Sequence, residues 1–163
     1  MKTGEKKPEH LTSLSGNRMV SKTHRRITFR GIIDSLEAEV IEAQVLASER
    51  GEAEICGNLG EVLDCLRAIM TAEVKDTPLP PPFLFGMDAE EIHSRSREVF
   101  QVPAWNQGAV AARINTLRAK LREAELLAVK VFGPGQEDER EDIILIMNRL
   151  SSALWWLFCR SID

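Results

Sequence analysis

Apolar side chains recur at alternating steps of three and four over four long stretches of this chain, each with a polar opposite face. The first stretch, from about Arg26 to Arg50, aligns Phe29, Ile32, Ile33, Leu36, Val40 and Ala43. The second, from about Glu52 to Lys75, does so with Ile55, Leu59, Val62, Leu66 and Ile69. The third is the most regular and runs through Val110, Ile114, Leu117, Leu121, Ala124, Ala128 and Val131. The fourth, from about Glu139 to Arg160, carries Ile143, Met147, Leu150, Leu154 and Phe158. A stripe of this period is the face by which a helix joins a bundle. The breaks between stretches are sharp. Arg50-Gly51-Glu52 separates the first two, and Phe132-Gly133-Pro134-Gly135 stops the third. The run from Thr77 to Pro82 cannot be helical, because each proline lacks a donor and restrains its predecessor. Asp88, with Glu91 three residues on, predicts a capped short helix from Ala89 to about Arg97. No strand pattern competes. The expected fold is therefore all-α: an up-and-down bundle of four long helices and one short helix, with an irregular basic N-terminal arm. It forms one domain over 1–163, with 1–25 as the arm and 76–87 as a Pro-rich connector.

Composition narrows the function classes. Hydrophobic residues at 44% and charged residues at 28% describe an ordinary globular chain and exclude a disordered one. Apolar runs such as Ala153 to Cys159 fall short of the roughly 18–20 residues of a membrane span. The start has no apolar stretch, so no secretory signal is expected. Cys56, Cys65 and Cys159 are too scattered for a disulfide framework or a metal ribbon and read as small buried hydrophobes in a reduced, cytoplasmic protein. The net charge of −4 argues against a general nucleic-acid binder. It hides an asymmetry, since residues 1–31 carry a balance of +6 and the rest −10. A basic arm on an acidic body meets something anionic or is simply solvated, and composition does not choose.

Polar side chains leave the bundle pattern at three places. On the third helix Arg118, Arg122 and Glu125, at i, i+4 and i+7, lie about 60–120° to the side of the apolar stripe, on the shoulder of the core. On the fourth, Asn148 and Ser152 form a comparable shoulder, and on the first Asp34 follows the pair Ile32-Ile33. Surface ion pairs account for such shoulders. The functional alternative is an anion and nucleotide site beside the core or between subunits, because the arginine fork donates two parallel bonds to phosphate. Ser13, Gly16, Arg18, Ser21 and Lys22 give the arm small backbone and cations fit to wrap a polyphosphate. His10, His24 and His93 lie in different segments, so no hydrolytic triad is expected. Trp155 and Trp156 read as core and interface packing.

At these residues the chain resembles the ATP:corrinoid (cobalamin) adenosyltransferases, most closely the ethanolamine-utilization branch. Residues 6–40 are similar to the family's Thr-Ser, Gly-x-Arg, Val-x-Lys and Gly-x-x-Asp-x-Leu series. Residues 115–129 resemble its Ala-Arg-x-x-x-Arg-Arg-Ala-Glu helix, and 146–155 its Leu-Asn-Arg-Leu-Ser-Asp helix. GMDAEEIHSRS at 86–96 resembles the ethanolamine branch itself.

The resemblance implies transfer of the 5'-deoxyadenosyl group of ATP, with Mg2+ accompanying the nucleotide, to the cobalt of a corrinoid such as cobalamin. It implies ATP contacts by Thr12, Ser13, Gly16, Lys22, Arg122, Glu125 and Asn148. An intersubunit pair of Asp34 with Arg118 would stand beside the site, and Phe100 would fill the space under the corrin ring and exclude the lower cobalt ligand. Arg122, Phe100, Asp34 and Arg118 are thus the catalytic set it implies. It further implies a homo-oligomer with sites between subunits, a trimer or else a dimer. A reductase or a corrinoid-dependent lyase would be its partner, and a bacterial microcompartment its surroundings. No nucleic acid and no membrane enter this reading.

The chain also departs from the family pattern. The family's glycine-rich start is reduced to Lys2-Thr3-Gly4-Glu5, Glu123 replaces the second arginine, and Ser152 replaces the aspartate. The stretch from Pro103 to Arg118 is lengthened by Trp105-Asn106-Gln107. No Cys-Cys or Cys-x-x-Cys is present, so no metal ligands are expected. A non-catalytic corrinoid-binding carrier or assembly protein of the same fold is the competing reading, and a helical scaffold with a nucleic-acid-binding arm a weaker one, since that arm lacks interleaved aromatics.

Overall fold

The structure, a computed structural model, describes residues 6–162. Lys2-Thr3-Gly4-Glu5 lies outside them. Among the described residues four long helices form the bundle: α1 (Arg25–Glu49), α2 (Ala53–Lys75), α4 (Ala109–Phe132) and α5 (Glu141–Arg160). The short α3 spans Ala89–Glu98. α1 packs on α2 and α4, α4 packs on α5, and α3 lies along α5. Every apolar position expected on the α4 and α5 stripes is buried. On α1 and α2, Ile32 and Ile55 are only partly buried, and Ala47 and Leu63 complete the core instead.

Local chemistry sets the helix ends. Asp88 Oδ1 accepts from the Glu90 and Glu91 amides at 2.9 Å while Glu91 Oε2 accepts from the Asp88 amide at 3.0 Å, the expected reciprocal cap on α3. α4 stops at Gly133, where a Cβ would sit 2.3 Å from the Val129 carbonyl oxygen. α2 ends on Asp76 in the left-handed region, at φ 52°. The Pro-rich connector runs over α2, its Leu79 amide donating to Asp142 Oδ2 at 2.9 Å.

One expectation is corrected. The arm is not irregular: β1 (Leu11–Ser15) and β2 (Arg18–Ser21) form an antiparallel hairpin with Leu11 opposite Ser21 and Thr12 opposite Val20. Gly16, at φ 51°, makes the turn without the strain a side chain would bring, and Ser13 Oγ donates to its carbonyl at 3.1 Å. Leu14, 1% exposed, is the hairpin's buried plug. α5 is by length and composition apolar enough to cross a membrane, with a mean hydropathy of 1.3, as core helices of a bundle are. Its apolar face is buried in the bundle, from Ile143 to Phe158.

A buried ion cluster ties the hairpin, α1, α2 and the α4–α5 loop together. Glu73, fully buried, accepts from Arg26 Nε on one carboxylate oxygen and from Arg30 Nε on the other. Arg26 also donates to the Glu73 carbonyl at 2.6 Å, to Asp76 at 2.8 Å and to Asp138 at 3.2 Å. Arg30 Nη2 donates to the Leu14 carbonyl of β1 at 2.6 Å. Burial disfavours charge on Arg26, but hydrogen bonds and attraction from Glu73 and Asp76 outweigh it and raise its pKa. A buried arginine is tolerated on such terms alone.

Candidate functional site

α4 and α5 run antiparallel, so the shoulder with Arg118, Arg122 and Glu125 meets the shoulder with Asn148, Ser151 and Ser152. Asn148 Nδ2 donates to Glu125 Oε1 at 2.8 Å, and Arg149 Nη1 donates to Asn148 Oδ1 at 2.6 Å. An acceptor on one side and a donor on the other fix which way the amide points. Arg149 is itself held by the Ala89 carbonyl of α3, at 2.8 Å. Glu125 is 8% exposed, and its Oε2 is buried with no hydrogen-bond partner. The Arg122 Nη1 stands 3.8 Å from it, on a side chain that is 61% exposed. A buried carboxylate oxygen without a hydrogen bond, beside an exposed guanidinium, is suited to receive a donor from a ligand while the arginine takes an anion.

One turn further, a cavity of about 250 Å³ is lined by Ser96, Arg118, Arg122, Ser151, Ser152 and Trp155. It contains two guanidiniums and three hydroxyls and no carboxylate, so its potential is positive. In the other direction a groove of about 740 Å³ opens over Val129, Leu145, Asn148 and Arg149. Trp155 joins the polar cavity to an aromatic mouth. The Arg118 guanidinium lies 5.4 Å from its ring centroid, within cation–π range. The Phe100 ring stands 6.2 Å away, and the indole N–H donates to the Val99 carbonyl at 3.3 Å. Phe100 is 78% exposed, an aromatic ring open to solvent at one edge of the site.

The sequence-derived residues thus fall into two groups. Arg118, Arg122, Glu125, Asn148 and Phe100 share the α4–α5 face. Thr12, Ser13, Gly16 and Lys22 lie on or beside the hairpin, whose Arg18 reaches Glu137 of the α4–α5 loop at 3.5 Å. Within one subunit no hydrogen bond or ion pair among the described residues links Lys22 to Arg122 or Asn148. Asp34 is exposed on α1 and does not touch Arg118, whose Nε donates to Asn115 at 3.1 Å. The inserted Trp105-Asn106-Gln107 forms a 3-10 turn, and α4 begins at Ala109, so the irregular stretch ends well before Arg118. The sequence does not single out Ser96, Arg149 and Ser151, and Trp155 packs against the core as expected while also walling the cavity. Asn148, Ser151 and Trp155 follow one another at steps of three and four on α5, the same signal that marked Arg118, Arg122 and Glu125.

No group of three His, Cys, Asp or Glu side chains among the described residues could hold a metal ion.

The chain matches the family model described as cobalamin adenosyltransferase over residues 2–161. It is 33% identical over 165 residues to the corrinoid adenosyltransferase EutT of Salmonella typhimurium, covering 96% of this chain and 60% of that protein. The corrinoid adenosyltransferase EutT of Escherichia coli is likewise 33% identical over 168 residues, with the same coverage. The chain therefore spans about 60% of the length of the curated relatives it matches. No solved structure matches it.

Proposed function

The chain belongs to the cobalamin adenosyltransferase family, and on that premise we propose that it transfers the 5'-deoxyadenosyl group of ATP to the Co(I) centre of a corrinoid, releasing triphosphate. Ethanolamine utilization is the setting this reading takes from the resemblance of residues 86–96 to that branch of the family, and the cytoplasm, where ATP is available, is its place. The observation that carries the proposal is the bonded series Glu125–Asn148–Arg149 beside Arg122, on the same face as the exposed Phe100.

The chemistry asks little acid–base work of the protein. Co(I) is itself the nucleophile, and it attacks the ribose C5' as the C5'–O bond to triphosphate breaks. The chain must hold carbon and cobalt in line and stabilise charge growing on the leaving oxygens. In this reading Arg122 binds the triphosphate. Glu125 Oε2 accepts a nucleotide hydroxyl or amine, and Asn148, fixed by its two bonds, sets the register. Phe100 fills the space on the lower face of the corrin and excludes the ligand that would make Co(II) harder to reduce. Mg2+ arrives with the phosphates, as it does where no protein cage is offered.

No cavity among the described residues is lined by both Lys22 and Arg122, and in this reading the arm serves the α4–α5 face of a neighbour. Asp34 then pairs with a neighbour's Arg118, in a trimer.

An anaerobic spectrum tests the reaction: Co(I) absorbance should disappear on adding ATP, and persistence of that absorbance with enzyme present would refute it. The Phe100 role is tested by Phe100→Ala. Its activity on Co(II) corrinoid with reductant should fall at least about tenfold more than its activity on preformed Co(I). Equal losses in the two assays would remove the ligand-exclusion role.

A further inference from the structure

Resting on the reading of residues 11–22 as the nucleotide arm, we infer that Glu73, acting through Arg30, is a positioning residue that sets how tightly the arm holds ATP. Arg26 and Arg30 stand one helical turn apart, where like charges repel unless an anion lies between them. Glu73 is that anion, fully buried and bonded to both. The two arginines depend on it unequally. Arg26 has Asp76 and Asp138 as further anions, at 2.8 and 3.2 Å. Arg30 has Glu73 as its one carboxylate among the described residues, and its remaining Nη2 bond goes to the Leu14 carbonyl at 2.6 Å.

That carbonyl lies between Ser13 and Ser15 on the strand that carries Thr12 and precedes Gly16. An ion pair also holds the hairpin, Arg18–Glu137, with side chains 50% and 79% exposed, and exposed pairs hold little. Beside the apolar plug of Leu14, the arm's polar attachment to the bundle therefore includes a charge-assisted bond whose donor is kept in place by a buried carboxylate in a different helix. A pre-placed arm need not be ordered by the ligand, and a loosened one must be, so the loss falls on ATP affinity and not on the chemical step.

The test uses Arg30→Met, which keeps the aliphatic stem in place, alongside Glu73→Gln. Should the buried Glu73 variant fail to fold, Arg30→Met decides alone. Hydrogen exchange of residues 11–21 should quicken while the bundle keeps its protection. KM for ATP should rise about tenfold, the scale of one charge-assisted hydrogen bond, with kcat on preformed Co(I) and KM for corrinoid within about twofold of the parent. Arg30→Lys, which can bond either Leu14 or Glu73 but lacks the fork to hold both, should recover part of the affinity. Unchanged hairpin exchange, or a lost kcat with an unchanged KM for ATP, overturns the inference. Lys22→Ala separates the two levels of the argument. If it raises KM for ATP and Arg30→Met does not, the positioning role fails and the arm assignment stands. If neither raises KM for ATP although the hairpin loosens, the arm assignment fails and takes the positioning role with it.

Discussion

Arg140 and Asp142 close the start of α5. Asp142 accepts from Arg140 Nε at 2.9 Å and Nη2 at 2.8 Å, and from the amides of Leu79 and Ile143 at 2.9 and 3.0 Å. The Arg140 hydrogen bonds hold its carboxyl down to about 2, against the opposing effect of burial and with help from the Leu79 amide. A folded pKa below the unfolded one contributes stability that is complete above the unfolded value, near 4, and is lost as pH falls toward 2. Asp142→Asn should therefore be less stable than the parent by roughly 1–2 kcal/mol at neutral pH. Urea unfolding should show that gap shrinking as pH falls through ~4 and closing only below pH ~2. A gap independent of pH would mean that Asp142 acts through shape and not charge. For Cys65 burial has no hydrogen-bonded cation to oppose it and pushes the thiol up to about 12, so it remains a protonated hydrophobe at neutral pH.

At the scale of elements, what was legible in the sequence was what repeats. The stripes on α4 and α5 placed those helices because a period sustained over five or more positions has few competing explanations. The same period put Arg118, Arg122, Glu125 and Asn148 on adjoining shoulders. The hairpin was missed for the converse reason. LTSLS and RMVS are short and largely polar, and a single buried side chain, Leu14, gives alternation nothing to repeat. The Glu73 cluster was also illegible, because Arg26, Glu73, Asp76 and Asp138 are joined across three elements and no spacing relates them. Asp76 shows the cost of reading one signal at a time. Its left-handed backbone at the end of α2 would suit glycine, but its carboxylate binds Arg26.

For the molecule as a whole, the basic arm meets the acidic body it belongs to. Arg18, Arg26 and Arg30 are bonded to Glu137, Glu73, Asp76 and Asp138 of the same subunit, which leaves Lys22 as the exposed cation nearest the hairpin's end. The proposed trimer makes a reciprocal prediction. Asp34→Arg and Arg118→Asp should each weaken assembly in analytical ultracentrifugation, and the double exchange should restore it, because the pair is re-formed with its charges reversed. Failure of the double exchange to restore assembly would remove the intersubunit pair.

Trp155, with the Phe100 ring on one side and the Arg118 guanidinium on another, has a practical consequence. An indole so placed beside the proposed corrin seat is an intrinsic fluorophore next to a strongly coloured acceptor. In a variant with Trp105 and Trp156 changed to phenylalanine, emission from the remaining indole should dim as a corrinoid is titrated in, and steady emission would move the pigment elsewhere. The molecule would then report its own occupancy, and adding ATP second would reveal by light alone whether the two substrates bind in a fixed order.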